Sequence, residues 1–129
     1  MAVERFFRRT LLATGLMNFV GAVLFAPPAV GLRALAGLPE AGHPLYAWIL
    51  SLWILFFGVG YLRLAVSAAP ERFFVAIGAA GKASFSLALV VYWLAGDLTA
   101  RAALVGSADL GFAAVFTYWL WTTRAERAP

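Results

Sequence analysis

The sequence lacks cysteine, has a single histidine and carries few charged residues. Without cysteine the chain has no disulfide, no thiolate metal ligand and no thiol nucleophile. One histidine and six carboxylates offer few ligands for a metal cluster, so no metal site is expected. Charged residues make up 12% of the chain, against about 25% in typical soluble domains. These shortages exclude thiol chemistry and argue against a soluble fold.

Apolar residues are abundant instead. Hydrophobic side chains make up 64% of the 129 residues, and the mean hydropathy is +0.87. Long apolar segments predict helices at approximately residues 7–26, 44–64, 73–96 and 101–123. Each segment is close in length to a membrane-spanning helix, which needs about 17–25 residues. The alternation of a membrane β-barrel is missing. The sequence therefore predicts an all-α fold, an integral membrane four-helix bundle that forms one transmembrane domain over residues 1–129.

Basic residues are distributed unevenly between the two ends of this predicted bundle. One end carries only Arg33 and Arg101. The other end, which holds both termini, carries Arg5, Arg8, Arg9, Arg63, Arg72, Arg124 and Arg127. Since basic residues concentrate on the cytoplasmic side of membranes, both termini are predicted to be cytoplasmic. We interpret the net charge of +4 as this orientation signal and not as a nucleic-acid surface. The predicted location is the bacterial cytoplasmic (inner) membrane.

The N-terminal segment has a second interpretation. Basic residues 5–9 followed by an apolar stretch resemble a signal peptide. However, Pro27 and Pro28 lie where a cleavage site would have to follow. An uncleaved helix also gives the even helix count that the distribution of basic residues requires. We therefore expect the first helix to remain part of the protein.

Three polar residues interrupt the apolar helices near the middle of the bilayer: Asn18, Lys82 and Asp109. A charge at this depth costs at least about 2.5–3.5 kcal/mol on insertion scales, so a partner or a function is expected. The two charged side chains lean in opposite directions along their helices, which argues against direct contact. The alternatives are a water molecule or Asn18 between them, or a Lys82 that remains neutral. The predicted ligand-binding or buried polar network comprises Lys82, Asp109, Asn18, Trp53 and Ser86, and none of these is assigned a catalytic role.

Small residues accompany the polar positions along each helix. Lys82 shares a helix face with Gly78 and Ser86, and Asp109 shares one with Gly106. Because small residues let membrane helices approach closely, these faces are predicted to point into the bundle. The helix of Lys82 carries a second row of small residues, which predicts packing on two sides. That row comprises Ala76, Ala80, Ser84 and Ala88.

Two further predictions concern the ends of the helices. Tyr61 lies near the end of the second long helix and is interpreted as an interfacial anchor. The connection over residues 30–43 contains glycines and apolar residues such as Leu32, Leu35 and Leu38, with only two charges. This composition predicts a lid or a short interfacial helix over a cavity.

Several short motifs together resemble a known family. They are Gly15 and Gly21 in the first helix, Phe-Gly-Val-Gly-Tyr at residues 57–61, Pro70-x-Arg72, Gly78-x-x-Gly81-Lys82, and Asp109-Leu110-x-Phe112-Ala113. Over about its whole length the chain resembles the small four-helix membrane proteins grouped as DoxX-like. The resemblance implies a four-helix bundle. Some relatives are membrane subunits of quinone-linked redox systems, and many have no assigned activity.

These observations favour a non-catalytic membrane protein. It would be an accessory subunit of a membrane complex, or a subunit that binds a small ligand, a quinone or a lipid, with Lys82 and Asp109 as its buried polar centre. One alternative is a membrane isomerase for an apolar substrate, in which Asp109 and Trp53 would stabilise a carbocation. Another is a small oligomeric proton-coupled transporter. The pair could also serve only to fix helix register. No cofactor is expected other than a quinone. The expected partners are the bilayer, a complex subunit or a second copy, and an apolar small molecule, without nucleic acid.

Overall fold

The computed structural model describes residues 2–124, which form five helices and no strand. The helices are α1 (Ala2–Phe25), α2 (Val30–Ala36), α3 (Pro44–Val66), α4 (Arg72–Leu94) and α5 (Ala100–Thr122). The prediction of an all-α fold is confirmed. The four long helices lie close to the predicted segments, although α1 begins at Ala2 and not near residue 7. Arg127, one of the predicted orientation residues, lies outside the described residues.

Three of the helices, α3, α4 and α5, are long and apolar enough to cross a membrane. Helix α1 meets this criterion only together with α2, and the two helices bend by 112° at the break between them. Pro27 and Pro28 lie in this break. Because proline has no backbone N–H and cannot continue a helix, these residues account for the end of α1.

The long helices form two closely packed pairs, α1 with α3 and α4 with α5, and α1 also contacts α5. Glycines allow the close approach within each pair. A Cβ atom added to Gly58 of α3 would lie 2.9 Å from the Cβ of Asn18, and one added to Gly106 of α5 would lie 2.6 Å from the side chain of Leu89. By contrast, α3 and α4 follow each other in sequence but pack much less closely. This difference leaves space between the two pairs.

Aromatic residues fill one end of the bundle, where α1 and α4 begin and α3 and α5 end; we call it the termini end. Phe7 stacks on Trp119 with ring centres 4.2 Å apart, and Phe116 packs edge-on against Phe7. Tyr61 joins this cluster through contacts with Phe74 and Phe116. It is 2% exposed, so its interpretation as an interfacial anchor is wrong.

Three arginines donate hydrogen bonds to the C-terminal ends of other helices. The last carbonyls of a helix have no intrahelical donor and carry partial negative charge, so a cation there is favourable. Arg8 binds the end of α3, Arg33 the end of α1, and Arg72 the end of α5. The acceptors are the carbonyls of Ala65, Ser67 and Ala68 for Arg8, those of Leu24, Ala26 and Pro27 for Arg33, and the Leu120 carbonyl with the Thr123 hydroxyl for Arg72.

The opposite end of the bundle, which we call the loop end, contains the connection over residues 30–43. This connection includes the seven-residue helix α2, and the interfacial position predicted for such a helix stays a prediction. Its Leu38 is buried against Leu89 of α4 and Ala102 of α5. Arg101 at the start of α5 also donates a hydrogen bond to the Leu35 carbonyl.

The second row of small residues on α4 faces away from the rest of the chain. Ala76, Ala80, Ser84 and Ala88 are all exposed. The predicted packing of α4 on two sides is therefore not found within the described residues, because α4 packs closely with α5 alone.

Candidate functional site

Lys82 of α4 occupies the interior of the bundle and contacts Asp109 directly. Its ammonium group lies 2.5 Å from a carboxylate oxygen of Asp109, and the two side chains are 8% and 16% exposed. The prediction that the opposite lean of the side chains prevents contact is wrong. A lysine stem has four carbons and rotates freely, so it spans the offset between the two helices.

Asn18 of α1 completes this polar centre, which we define as Lys82, Asp109 and Asn18. Its side-chain oxygen accepts a hydrogen bond from Lys82 at 3.1 Å, and its amide nitrogen donates to the Ile54 carbonyl of α3 at 3.0 Å. The orientation of the amide follows from chemistry, since an ammonium group can only donate. Asn18 binds Lys82 beside the ion pair. The expectation that it separates the two charges is therefore wrong. The polar centre therefore joins all four long helices.

The ammonium group of Lys82 is also surrounded by aromatic rings. It lies 5.5 Å from the centre of the Tyr61 ring and 5.6 Å from that of Phe112. A cation near a ring face is stabilised by the negative charge of the π system. An ammonium group has three N–H donors, and the described residues accept hydrogen bonds from two of them.

A cavity of about 360 Å³ lies beside the polar centre, between the two helix pairs. Asn18, Tyr61, Lys82 and Asp109 line it as polar residues, and the rest of its wall is almost entirely apolar. Four further aromatic side chains contribute to this wall: Phe25, Trp53, Phe57 and Phe85. A mostly apolar cavity with a few converging polar groups is typical of small-molecule sites.

The cavity opens to the outside of the bundle. Its lining includes exposed side chains from the two loosely packed helices, among them Leu50 and Trp53 of α3 and Ile77 of α4. Trp53 is 60% exposed. We call these three residues, together with Gly81, the mouth of the cavity. A Cβ atom added to Gly81 would meet no atom within 4 Å, so the mouth is open there.

The predicted site residues therefore have different positions. Lys82, Asp109 and Asn18 form the polar centre, and Trp53 lies at the mouth. Ser86 is buried where α4 packs against Gly106 of α5, and it does not line the cavity. The predicted lid is also wrong, because no residue of the connection over residues 30–43 lines the cavity.

Sequence reasoning assigned only four residues of the cavity wall to the site, and the aromatic residues that it missed include Phe57, Tyr61 and Phe85. The signal for the first two is their spacing. Phe57 and Tyr61 lie four residues apart, and so does Trp53 from Phe57, which places all three along one side of α3. Tyr61 contributes a hydroxyl for which the described residues provide no hydrogen-bond partner, although its side chain is almost fully buried. This hydroxyl lies close to Gly78, where an added Cβ atom would be 2.5 Å away.

The site offers an internally neutral ion pair, a hydroxyl and an apolar wall. It can hold an apolar molecule by burial and orient that molecule through hydrogen bonds from Lys82 or Tyr61. Comparisons with protein-family models, with curated proteins and with solved structures gave no match for this chain.

Proposed function

We propose that the protein is a four-span membrane protein with both termini in the cytoplasm, in the bacterial cytoplasmic membrane. The spans would be α1, α3, α4 and α5. The uneven distribution of arginines supports this orientation. Among the described residues only Arg33 and Arg101 lie at the loop end, whereas the termini end carries six arginines: Arg5, Arg8, Arg9, Arg63, Arg72 and Arg124. Reporter fusions at residues 40 and 129 should be found on opposite sides of the membrane. A periplasmic C-terminus would contradict this topology.

We further propose that the protein binds an apolar small molecule as a non-catalytic subunit of a membrane complex. The observation that supports this function is the open cavity with the polar centre at its wall. An ion pair that only fixes helix register needs no adjoining space, and closely packed apolar residues would often replace it without loss. Here the pair faces a cavity that reaches the outside between α3 and α4. A lipid or a quinone fits this description, and membership of the DoxX-like family remains part of the proposal.

A membrane isomerase is the second candidate, because Asp109 and Trp53 line the same cavity. The direct bond from Lys82 neutralises the Asp109 carboxylate, which weakens its ability to stabilise a carbocation. Turnover of an apolar substrate by the purified chain, lost in Asp109→Asn, would favour the isomerase over the binding function.

The test of binding compares substitutions at two glycines, one in the cavity wall and one outside it. Gly81 and Gly111 both lie within helices, and a Cβ atom added to either would meet no atom within 4 Å. Only Gly81 lines the cavity. We expect apolar molecules extracted from protein purified in mild detergent to be depleted in Gly81→Leu and retained in Gly111→Leu. Equal amounts in the wild type and both variants would contradict binding in this cavity.

A further inference from the structure

The charges of the cavity wall cancel within the protein. Among the described residues that line the cavity, Lys82 is the only cation and Asp109 the only anion, and they bind each other. A ligand with a charged end would therefore bring an unpaired charge into an apolar site. Such a charge is costly unless it is paired and hydrogen-bonded. The site is thus complementary to an uncharged ligand.

The hydrogen-bonding groups of the wall indicate the chemistry of that ligand. Asn18 uses its oxygen for Lys82 and its amide for Ile54, so both of its polar ends are occupied. Lys82 retains one N–H donor, and the Tyr61 hydroxyl retains its capacity to donate. Both lie at the cavity and can donate to an oxygen atom. A carbonyl, ether or hydroxyl oxygen is the matching group.

The path to this position runs through the membrane side of the bundle. The mouth, formed by Leu50, Trp53, Ile77 and Gly81, lies between α3 and α4, both of which are apolar enough to span a membrane. The aromatic cluster with Tyr61 and Phe74 closes the gap between these helices at the termini end. Toward the loop end, Phe25 of α1 and Phe85 of α4 contact each other edge-on. An apolar chain can therefore extend through the mouth into surrounding lipid.

We propose that the cavity selects uncharged, single-headed apolar molecules whose oxygen-bearing end is held by Lys82 and Tyr61 and whose chain leaves through the mouth. The proposal rests on the binding function proposed above and specifies its ligand class. It has a consequence for variants. Asp109→Asn leaves the positive charge of Lys82 unpaired, so this variant should prefer an anionic ligand end. Lys82→Met leaves the negative charge of Asp109, so it should prefer a cationic end.

The experiment compares three probes with the same alkyl chain: dodecan-1-ol, dodecane-1-sulfonate and dodecyltrimethylammonium. Each competes with radiolabelled dodecan-1-ol for the whole protein in lipid nanodiscs. In the wild type, the alcohol should displace the label at least tenfold more effectively than either charged probe. In Asp109→Asn, displacement of the label by the sulfonate should improve about tenfold relative to displacement by the alcohol. In Lys82→Met, displacement by the ammonium probe should improve by a similar factor. Because the three probes partition differently into the bilayer, their displacement is compared at equal bilayer concentrations of each probe.

Matched controls remove the same charges elsewhere. Asp97→Asn and Arg101→Met alter exposed residues outside the cavity wall and should leave the probe preferences of the wild type unchanged. If a cavity variant does not fold, the preference of the wild type still tests the proposal. Displacement by the charged probes as effective as by the alcohol would overturn the ligand class while leaving the binding function standing. Failure of labelled dodecan-1-ol to bind above the level of Gly81→Leu would overturn the binding function itself.

Discussion

Arg33 and Lys82, the two buried cations among the described residues, are satisfied in different ways. Arg33 is 4% exposed and forms five hydrogen bonds. Three of them go to backbone carbonyls at the end of α1, and two form a fork with the Glu40 carboxylate. A guanidinium group has five N–H donors, so Arg33 has none left for a ligand. Its surroundings are complete without a further molecule.

Lys82 is 7% exposed, yet it forms hydrogen bonds only with Asp109 and Asn18. Lys82 lines the cavity, and no described residue accepts a hydrogen bond from its remaining donor. Burial alone therefore does not distinguish a structural cation from a candidate binding residue. The distinction comes from whether the protein itself accepts every hydrogen bond that the cation can donate.

The largest expected effect comes from breaking the pair at Lys82. Asp109→Leu or Lys82→Met alone strands a buried charge, which should lower the free energy of unfolding by about 3–5 kcal/mol. The double substitution removes both charges and should recover much of this loss. Denaturation in mixed detergent micelles measures all four proteins. Additive losses in the double variant would show that the two residues are not coupled.

Substitution of Arg33 should lower the free energy of unfolding by less, and it should not affect ligand binding. Arg33→Met leaves three carbonyls at the end of α1 without their donor, which should cost about 2–3 kcal/mol. Arg101→Met is the matched control, because Arg101 forms one long, exposed hydrogen bond to the Leu35 carbonyl. Its cost should stay below about 0.5 kcal/mol. In the probe competition, Arg33→Met should bind dodecan-1-ol like the wild type, and weakened binding would contradict a purely structural role.

The smallest effect concerns the carboxylate that binds Arg33. The hydrogen bond from Arg33 holds the pKa of Glu40 below the usual glutamate value of 4.5. The stabilisation is therefore fully present above that usual value and is lost as pH falls through the lowered one. Because Glu40 is exposed to solvent, the effect should be small. Thermal unfolding should show the wild type losing its advantage over Glu40→Gln between about pH 4.5 and the lowered pKa, and a constant difference would refute the linkage.

Much of the fold could be predicted because hydropathy and helix length carry it. The long helices and the inward position of Asn18, Lys82 and Asp109 could be predicted from the cost that exposing backbone and charge to lipid would have. The direct contact of Lys82 with Asp109 could not be predicted from the lean of the side chains. A flexible lysine stem overrides that geometry.

The sequence carries weaker signals for the cavity and for the arginines that bind the ends of other helices, Arg8, Arg33 and Arg72. Arg8 binds carbonyls that lie more than fifty residues away in the chain, and any residue type can supply a carbonyl. The cavity arises where α3 and α4 fail to pack closely, which depends on all four long helices together. The small residues Ala80 and Ser84 predicted a contact that the described residues do not make.

Photolabelling tests most directly whether the cavity beside Lys82 is a binding site. A dodecan-1-ol with a diazirine near its hydroxyl end is irradiated with the wild-type protein in nanodiscs, and the labelled peptides are identified by mass spectrometry. We predict labels on residues 50–61 of α3 and 77–85 of α4, suppressed by excess unlabelled dodecan-1-ol. Labels spread evenly over the outward surfaces of the bundle, including the face of α5 with Gly111, and not suppressed by the competitor would contradict a binding site in the cavity.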